Sequence, residues 1–139
     1  IVFTADERTL IVAESFGARM TAFSIAADGS LHDRRVWAQL GEVPDWTSME
    51  TLGKATCVPD GCSIGADDTV WMADAVGGRV LKLVDGAIAG EVKGPPGEHV
   101  YSCAIGGADG RQLLMCVAPD YHADSCRLNP RASLWVAQV

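Results

Sequence analysis

A chain of 139 residues with 48% hydrophobic composition has material for one compact domain, or a piece of one, with its own core. Its formal charge of −7 and sequence pI near 4.7 set it against a phosphate backbone or an anionic membrane surface, so nucleic acid is not an expected partner. No apolar run approaches the roughly 20 residues needed to cross a bilayer, and no basic-then-apolar signal pattern opens the chain. A soluble, cytoplasmic protein without a membrane partner is the expectation.

Ile1-Val2-Phe3-Thr4 reads as a strand already under way, so the chain is expected to begin inside a fold. Sliding the sequence against itself by 60 residues lays Thr9 to Met20 on Thr69 to Val80. In each copy an apolar strand ends at a carboxylate, Glu14 or Asp74. A small-residue turn with Gly and Arg follows, and then a second strand. Outer strands are expected at Arg34 to Leu40, reached through the Ala27-Asp28-Gly29 turn, and at Ala87 to Val92. A weaker third copy runs from Cys103 through Leu113 to Val117 and ends, after a loop, at Ser133 to Ala137.

Repeats of about 40–50 residues built from about four short strands are the pattern of propeller blades. The expected fold is all-β, a β-propeller supplying about three blades, with blade-like repeats at about 1–40, 59–94 and 99–139 and a connecting loop at 41–58. Such an arc leaves an open face that a second copy, in a homodimer, or a missing amino-terminal half would complete.

Candidate chemistry concentrates at Pro59-Asp60-Gly61, an acidic turn heading the first strand of the second copy. By itself Asp60 reads equally as a turn former and as a site carboxylate. Glu14 and Asp74, at equivalent strand ends, could face the channel or pair with Arg19 and Arg79 across their turns, and the structural pairing is the first reading. His99 precedes the third inner strand, where Tyr101 and Cys103 alternate and one of them is expected to line a channel. His32 and His122 read as solvated loop residues. Trp37, Trp71 and Trp135 read as core between blades, whereas Trp46, in the irregular stretch, is the aromatic placed for ligand stacking. Gly61-Cys62-Ser63-Ile64-Gly65 matches a nucleophile elbow, with Asp120 and His122 downstream, but a turn precedes Ser63 and a strand rather than a helix follows. The five cysteines fit reduced, buried thiols, with Cys116 and Cys126 the one pair that could bridge a loop.

The run Leu10 to Phe23, the strand Arg34-Arg35-Val36-Trp37-Ala38, Pro59-Asp60-Gly61 with Val70-Trp71-Met72-Ala73-Asp74, and Gly106-Gly107-Ala108-Asp109-Gly110 together resemble the carboxy-terminal half of the SMP-30/gluconolactonase/LRE-like family. The resemblance implies a six-bladed propeller whose central channel holds one divalent ion, calcium first, with zinc, manganese or magnesium as alternatives. It also implies hydrolysis of sugar lactones or related esters. Asp60 would be metal ligand and general base, while His99, Tyr101 and Trp46, read from their places in the chain and not from the resemblance, are the candidate substrate contacts. The family's other ligands, a Glu and Asn residues from earlier blades, have no counterpart in this chain. A ligand-binding or scaffold module without catalysis is the alternative.

Overall fold

The computed structural model describes residues 1–43, 45, 51 and 54–139. Three antiparallel sheets follow one another along the chain, each a meander with strands in sequence order. The first holds β1 (Val2–Phe3), β2 (Thr9–Glu14), β3 (Arg19–Ile25) and β4 (Leu31–Gln39), with one 3₁₀ turn at Ser15–Gly17. The second holds β5 (Pro59–Ile64), β6 (Val70–Asp74), β7 (Arg79–Val84) and β8 (Ala87–Lys93). The third holds β9 (His99–Gly106), β10 (Gln112–Ala118) and β11 (Ser133–Gln138), with a short helix, α1 (Ala123–Leu128), between the last two strands. None of the described helices is long and apolar enough to cross a membrane.

Local chemistry dictates the turns. Between β7 and β8 the two-residue loop Asp85-Gly86 holds φ values of 49° and 79°, the left-handed pair that suits the twist of a tight hairpin. A side chain at Gly86 would also meet the Trp37 carbonyl of the first sheet.

The carboxylate, glycine and arginine of each repeat form one device. Glu14 accepts from Arg19 at 2.7 Å, Arg34 at 2.8 Å and the Thr21 hydroxyl. Asp74 accepts from Arg79 Nε at 3.0 Å and from the backbone N–H groups of Val58 and Gly77 at 3.0 and 3.1 Å. The arginine folds back over the turn, and a Cβ on Gly77 would lie 2.9 Å from Arg79 Nε. Glycine is what lets the ion pair pass.

Packing explains the continuous apolar runs. From the second sheet, Val70, Met72, Leu81 and Leu83 pack against Ile11, Met20, Ala22 and Ala38 of the first. On the opposite face, Trp71, Ala73 and Val80 pack against Val100, Cys103, Leu113, Met115 and Val117 of the third. Successive residues point to opposite faces of a strand, so a sheet covered on both sides needs apolar residues at every position. All five residues of β6 are buried accordingly. Truncating Met72 or Leu81 to Ala would cost about 2–5 kcal/mol.

Two expectations change, for Trp135 and His32, and one open alternative, a Cys116–Cys126 bridge, is decided. Trp135 is not core: it is 49% exposed on β11, beside Leu134 and Val136, because β11 is the outer edge strand of the third sheet and no described strand pairs beyond it. The Cys116 and Cys126 thiols are both free. Cys116 is half-buried within β10, whereas Cys126 is exposed on α1 and directs its thiol toward the Asp120 carbonyl at 3.7 Å. His32 lies on strand β4 rather than in a loop, exposed and 2.9 Å from the Asp33 carboxylate. Of the expected loop at 41–58, residues 44, 46–50, 52 and 53 lie outside the described residues.

Candidate functional site

A cavity of about 380 Å³ opens where the first strands of the second and third sheets begin. Its wall is Ser15 and Phe16 from the 3₁₀ turn, Val58 and Asp60 at the head of β5, Ala75 and Val76 after β6, His99 and Tyr101 on β9, and Tyr121. The volume is within the range of small-molecule sites, and the wall is mostly apolar with few polar groups.

Asp60 reaches this cavity through a β-bulge. Pro59 pairs with Asp74 and Cys62 with Met72, so three steps along β5 match two along β6, and the extra residue falls at Asp60-Gly61. A bulge bends its strand and re-aims a side chain. Pro59 is tolerated because β5 is an edge strand of its sheet, where the missing N–H leaves no ladder bond unmade. Gly61 is required because β9 comes close: a Cβ there would lie 2.7 Å from the Ser102 Cα. The Pro-Asp-Gly triplet is thus an edge residue, a re-aimed carboxylate and a close approach of two sheets.

Among the described residues no side-chain donor and no cation pairs with the Asp60 carboxylate. Loss of water against the apolar wall pushes its pKa above the ordinary carboxylate value, while the Gly61 N–H pulls it down. An unpaired, partly desolvated carboxylate in a cleft is the condition expected of a working group.

The His99 ring stands beside it in the wall. Its Nδ1–H donates to the Ala75 carbonyl at 2.7 Å, which fixes the tautomer and leaves Nε2 as an acceptor in the neutral ring. The Tyr101 ring is 6.0 Å from that of His99. Burial pushes the Tyr101 phenol up to about 12. Cys103, two residues on, points into the core instead, with its thiol 3.3 Å from the Trp71 carbonyl. Burial pushes that thiol up to about 12 as well. The structure thus brings Asp60, His99 and Tyr101 to one cavity. Trp46 lies outside the described residues.

The serine pattern does not form a site. Ser63 lies inside β5 with its Oγ accepting from the Ile105 N–H at 3.1 Å, and a strand follows it. Asp120 instead accepts from the His122 N–H and the Ser125 hydroxyl, at 2.9 and 2.8 Å, and organises its own loop.

Ser15, Phe16, Ala75, Val76 and Tyr121 are wall residues that sequence reasoning did not single out. For four of them a signal existed: Ser15-Phe16 and Ala75-Val76 occupy the same place in the 60-residue repeat, so both copies deliver the residues after the carboxylate to one rim.

A metal ion fits these residues only in part. Among the described residues no group of three or more His, Cys, Asp or Glu side chains is placed to hold one, and Asp60 is a single carboxylate.

Comparison with known proteins places the chain. The profile of the SMP-30/Gluconolactonase/LRE-like region matches residues 1–119. Regucalcin from Homo sapiens is 33% identical over 84 residues, which are 59% of this chain and 28% of that protein, and regucalcin from Macaca fascicularis matches equally. A luciferin-regenerating enzyme structure aligns with a TM-score of 0.67 at 22% identity, covering 88% of this chain and 38% of that one. Regucalcin of Agrobacterium tumefaciens, described as a calcium-binding protein, aligns with a TM-score of 0.67 at 21% identity over 96% of this chain and 42% of that one. The chain therefore spans less than half the length of each of these proteins. With its profile covering residues 1–119, this chain belongs to the SMP-30/Gluconolactonase/LRE-like region family.

Proposed function

We propose that the chain forms part of a six-bladed β-propeller that hydrolyses sugar lactones or related esters, with Asp60 as the general base. The single observation that carries this reading is the unpaired Asp60 carboxylate in the cavity, its pKa raised by desolvation. A base whose pKa is drawn up from the ordinary carboxylate value holds its proton better when it takes one. Asp60 takes a proton from a water molecule as its oxygen attacks the lactone carbonyl. The ring C–O bond then breaks, and the proton passes to the departing alkoxide. His99, with Nε2 as acceptor, orients a substrate hydroxyl.

A divalent ion, calcium first, belongs to this reading because a relative of the same fold is a calcium-binding protein. When bound it would supply charge against the developing oxyanion. Calcium takes about six to eight oxygen ligands. Asp60 would be one of them, and the others would come from outside the described residues, so the residues here do not complete the site. A second copy of the chain or an amino-terminal half of the same protein would complete the ring.

The same incomplete ligand set favours a second reading, a propeller portion that binds or scaffolds without turnover. Hydrolysis of gluconolactone separates them. Asp60→Asn should lower kcat/KM by about 10²–10⁴-fold, the range of a positioned base. Activity that is absent in the native chain with calcium, or unchanged in Asp60→Asn, would remove the hydrolase reading. Calorimetric titration with calcium tests the ligand role separately: weaker binding is expected in the Asn variant.

A further inference from the structure

Tyr101 carries a feature that the proposed base chemistry does not use. Its hydroxyl oxygen is shielded from solvent and has no hydrogen-bond partner. Buried hydroxyls in folded proteins find partners, so an orphan of this kind calls for a reason. Asp120, Cys126 and Tyr121 of the 119–131 segment and Asp60 of the cavity all lie close enough to bear on the phenol electrostatically. Tyr101 and Tyr121 also share the wall of the cavity.

The 119–131 segment is self-contained. Asp120 accepts from His122 and Ser125, the Cys126 N–H donates to the His122 carbonyl, the Asn129 N–H to the Ser125 carbonyl, and Arg127 pairs with Asp124. Each of these bonds closes within the segment, and every residue from 121 to 131 is exposed. Among the described residues, none of its hydrogen bonds or ion pairs reaches the sheets, so the segment can shift as a unit without breaking one.

We propose that residues 119–131 form a lid, and that its displacement opens the Tyr101 hydroxyl to donate a hydrogen bond to an oxygen of a bound polyhydroxylated lactone or ester. This rests on the hydrolase reading for its ligand class. A phenol held protonated by burial is a donor throughout the neutral range. The orphan state is then that of a donor awaiting its acceptor, and Tyr101 is a specificity residue beside the base.

The test uses gluconolactam, a hydrolysis-resistant analogue of gluconolactone, with calcium present. Calorimetry on the native chain and on Tyr101→Phe should show about five- to tenfold weaker binding by the variant, the loss of one good hydrogen bond. The variant should unfold at the same denaturant concentration or a higher one, because the hydroxyl it lacks had no partner. Hydrogen exchange of the native chain should show altered protection at 119–131 when the lactam binds. Equal binding by the native chain and Tyr101→Phe, together with Asp60→Asn losing hydrolysis, would overturn this role for Tyr101 and leave the base standing. Unchanged exchange at 119–131 on lactam binding would overturn the lid even if Tyr101→Phe misfolds. A native chain that neither binds the lactam nor hydrolyses gluconolactone would overturn both readings.

Discussion

Asp60 and Asp74 stand at the same end of one strand pair, where Pro59 is the register partner of Asp74, yet their surroundings are opposite. Asp74 is fully buried and accepts from two backbone N–H groups and an arginine. Asp60 faces a cavity and has no side-chain partner among the described residues. A carboxylate whose bonds are all made inside the protein has nothing left for a ligand, whereas one left bare has its lone pairs to offer. In this fold the same residue type is a structural bolt at a strand end and a candidate base one bulge away.

Removing the bolt gives the largest expected effect on stability. Asp74→Ala leaves the buried Val58 N–H without its acceptor and breaks the ion pair to Arg79, and breaking a buried pair costs about 3–5 kcal/mol. Arg79 retains Glu91 at 2.8 Å, so the lower end, about 3 kcal/mol, is expected in urea denaturation. A loss under 1 kcal/mol would mean that the strand end is held by other means.

The bulge that separates the two carboxylates can be attacked through Gly61. An Ala there must push β9 away at Ser102, and overpacking of this kind costs about 1–3 kcal/mol. The same shift moves Asp60 relative to His99 and Tyr101, so hydrolysis should fall with stability. Gly90→Ala is the control. Its Cβ would meet Lys82 Cβ at 3.9 Å, an ordinary contact, and its stability should stay within about 0.5 kcal/mol of the native value.

How far this contrast was legible in the sequence follows from what sequence can encode. The 60-residue repeat exposed the Glu14–Arg19 and Asp74–Arg79 pairs because a carboxylate, a glycine and an arginine at fixed spacing on two antiparallel strands must meet across their turn. The apolar runs of β6 and β7 announced a sheet covered on both faces. Pro59-Asp60-Gly61 falls at the mouth of the cavity, but a turn former and a bulged carboxylate look alike in sequence until the neighbouring strand is known. Ser102, which makes Gly61 obligatory, is 41 positions away in the chain. Trp135 was misjudged for the related reason that hydrophobic character shows the need for cover, not whether this chain supplies it.

The first repeat offers a milder version of the bolt. Glu14 is only partly exposed, and the Thr21 hydroxyl together with Arg19 holds its pKa down to about 2 from an ordinary 4.5. The folded state therefore gains from the ionised form above pH 4.5, and the gain is lost as pH falls toward 2. Glu14→Gln should cost about 1 kcal/mol at pH 7 after solvent screening, and the difference from the native chain should shrink through that window. Denaturation curves at pH 7, 4 and 2.5 decide it. A difference independent of pH would assign the effect to packing instead of charge.

The smallest expected effect is the sharpest for the comparison, because it has the opposite sign. Desolvation raises the Asp60 pKa, so folding disfavours its ionised form, and the ionised carboxylate weighs against the folded state at pH values above its folded pKa. Below the ordinary value of 3.8 the group is protonated in both states and the penalty disappears. Asp60→Asn should therefore leave the calcium-free chain at least as stable as the native one at pH 7, with any gain vanishing near pH 3. A carboxylate wired into the fold as Asp74 is would lose stability on the same substitution. Thermal unfolding of Asp60→Asn in the presence of a chelator thus tells a bare carboxylate from a bolted one. Destabilisation at pH 7 would mean that Asp60 has a structural partner, and its place as the base would fall with that result.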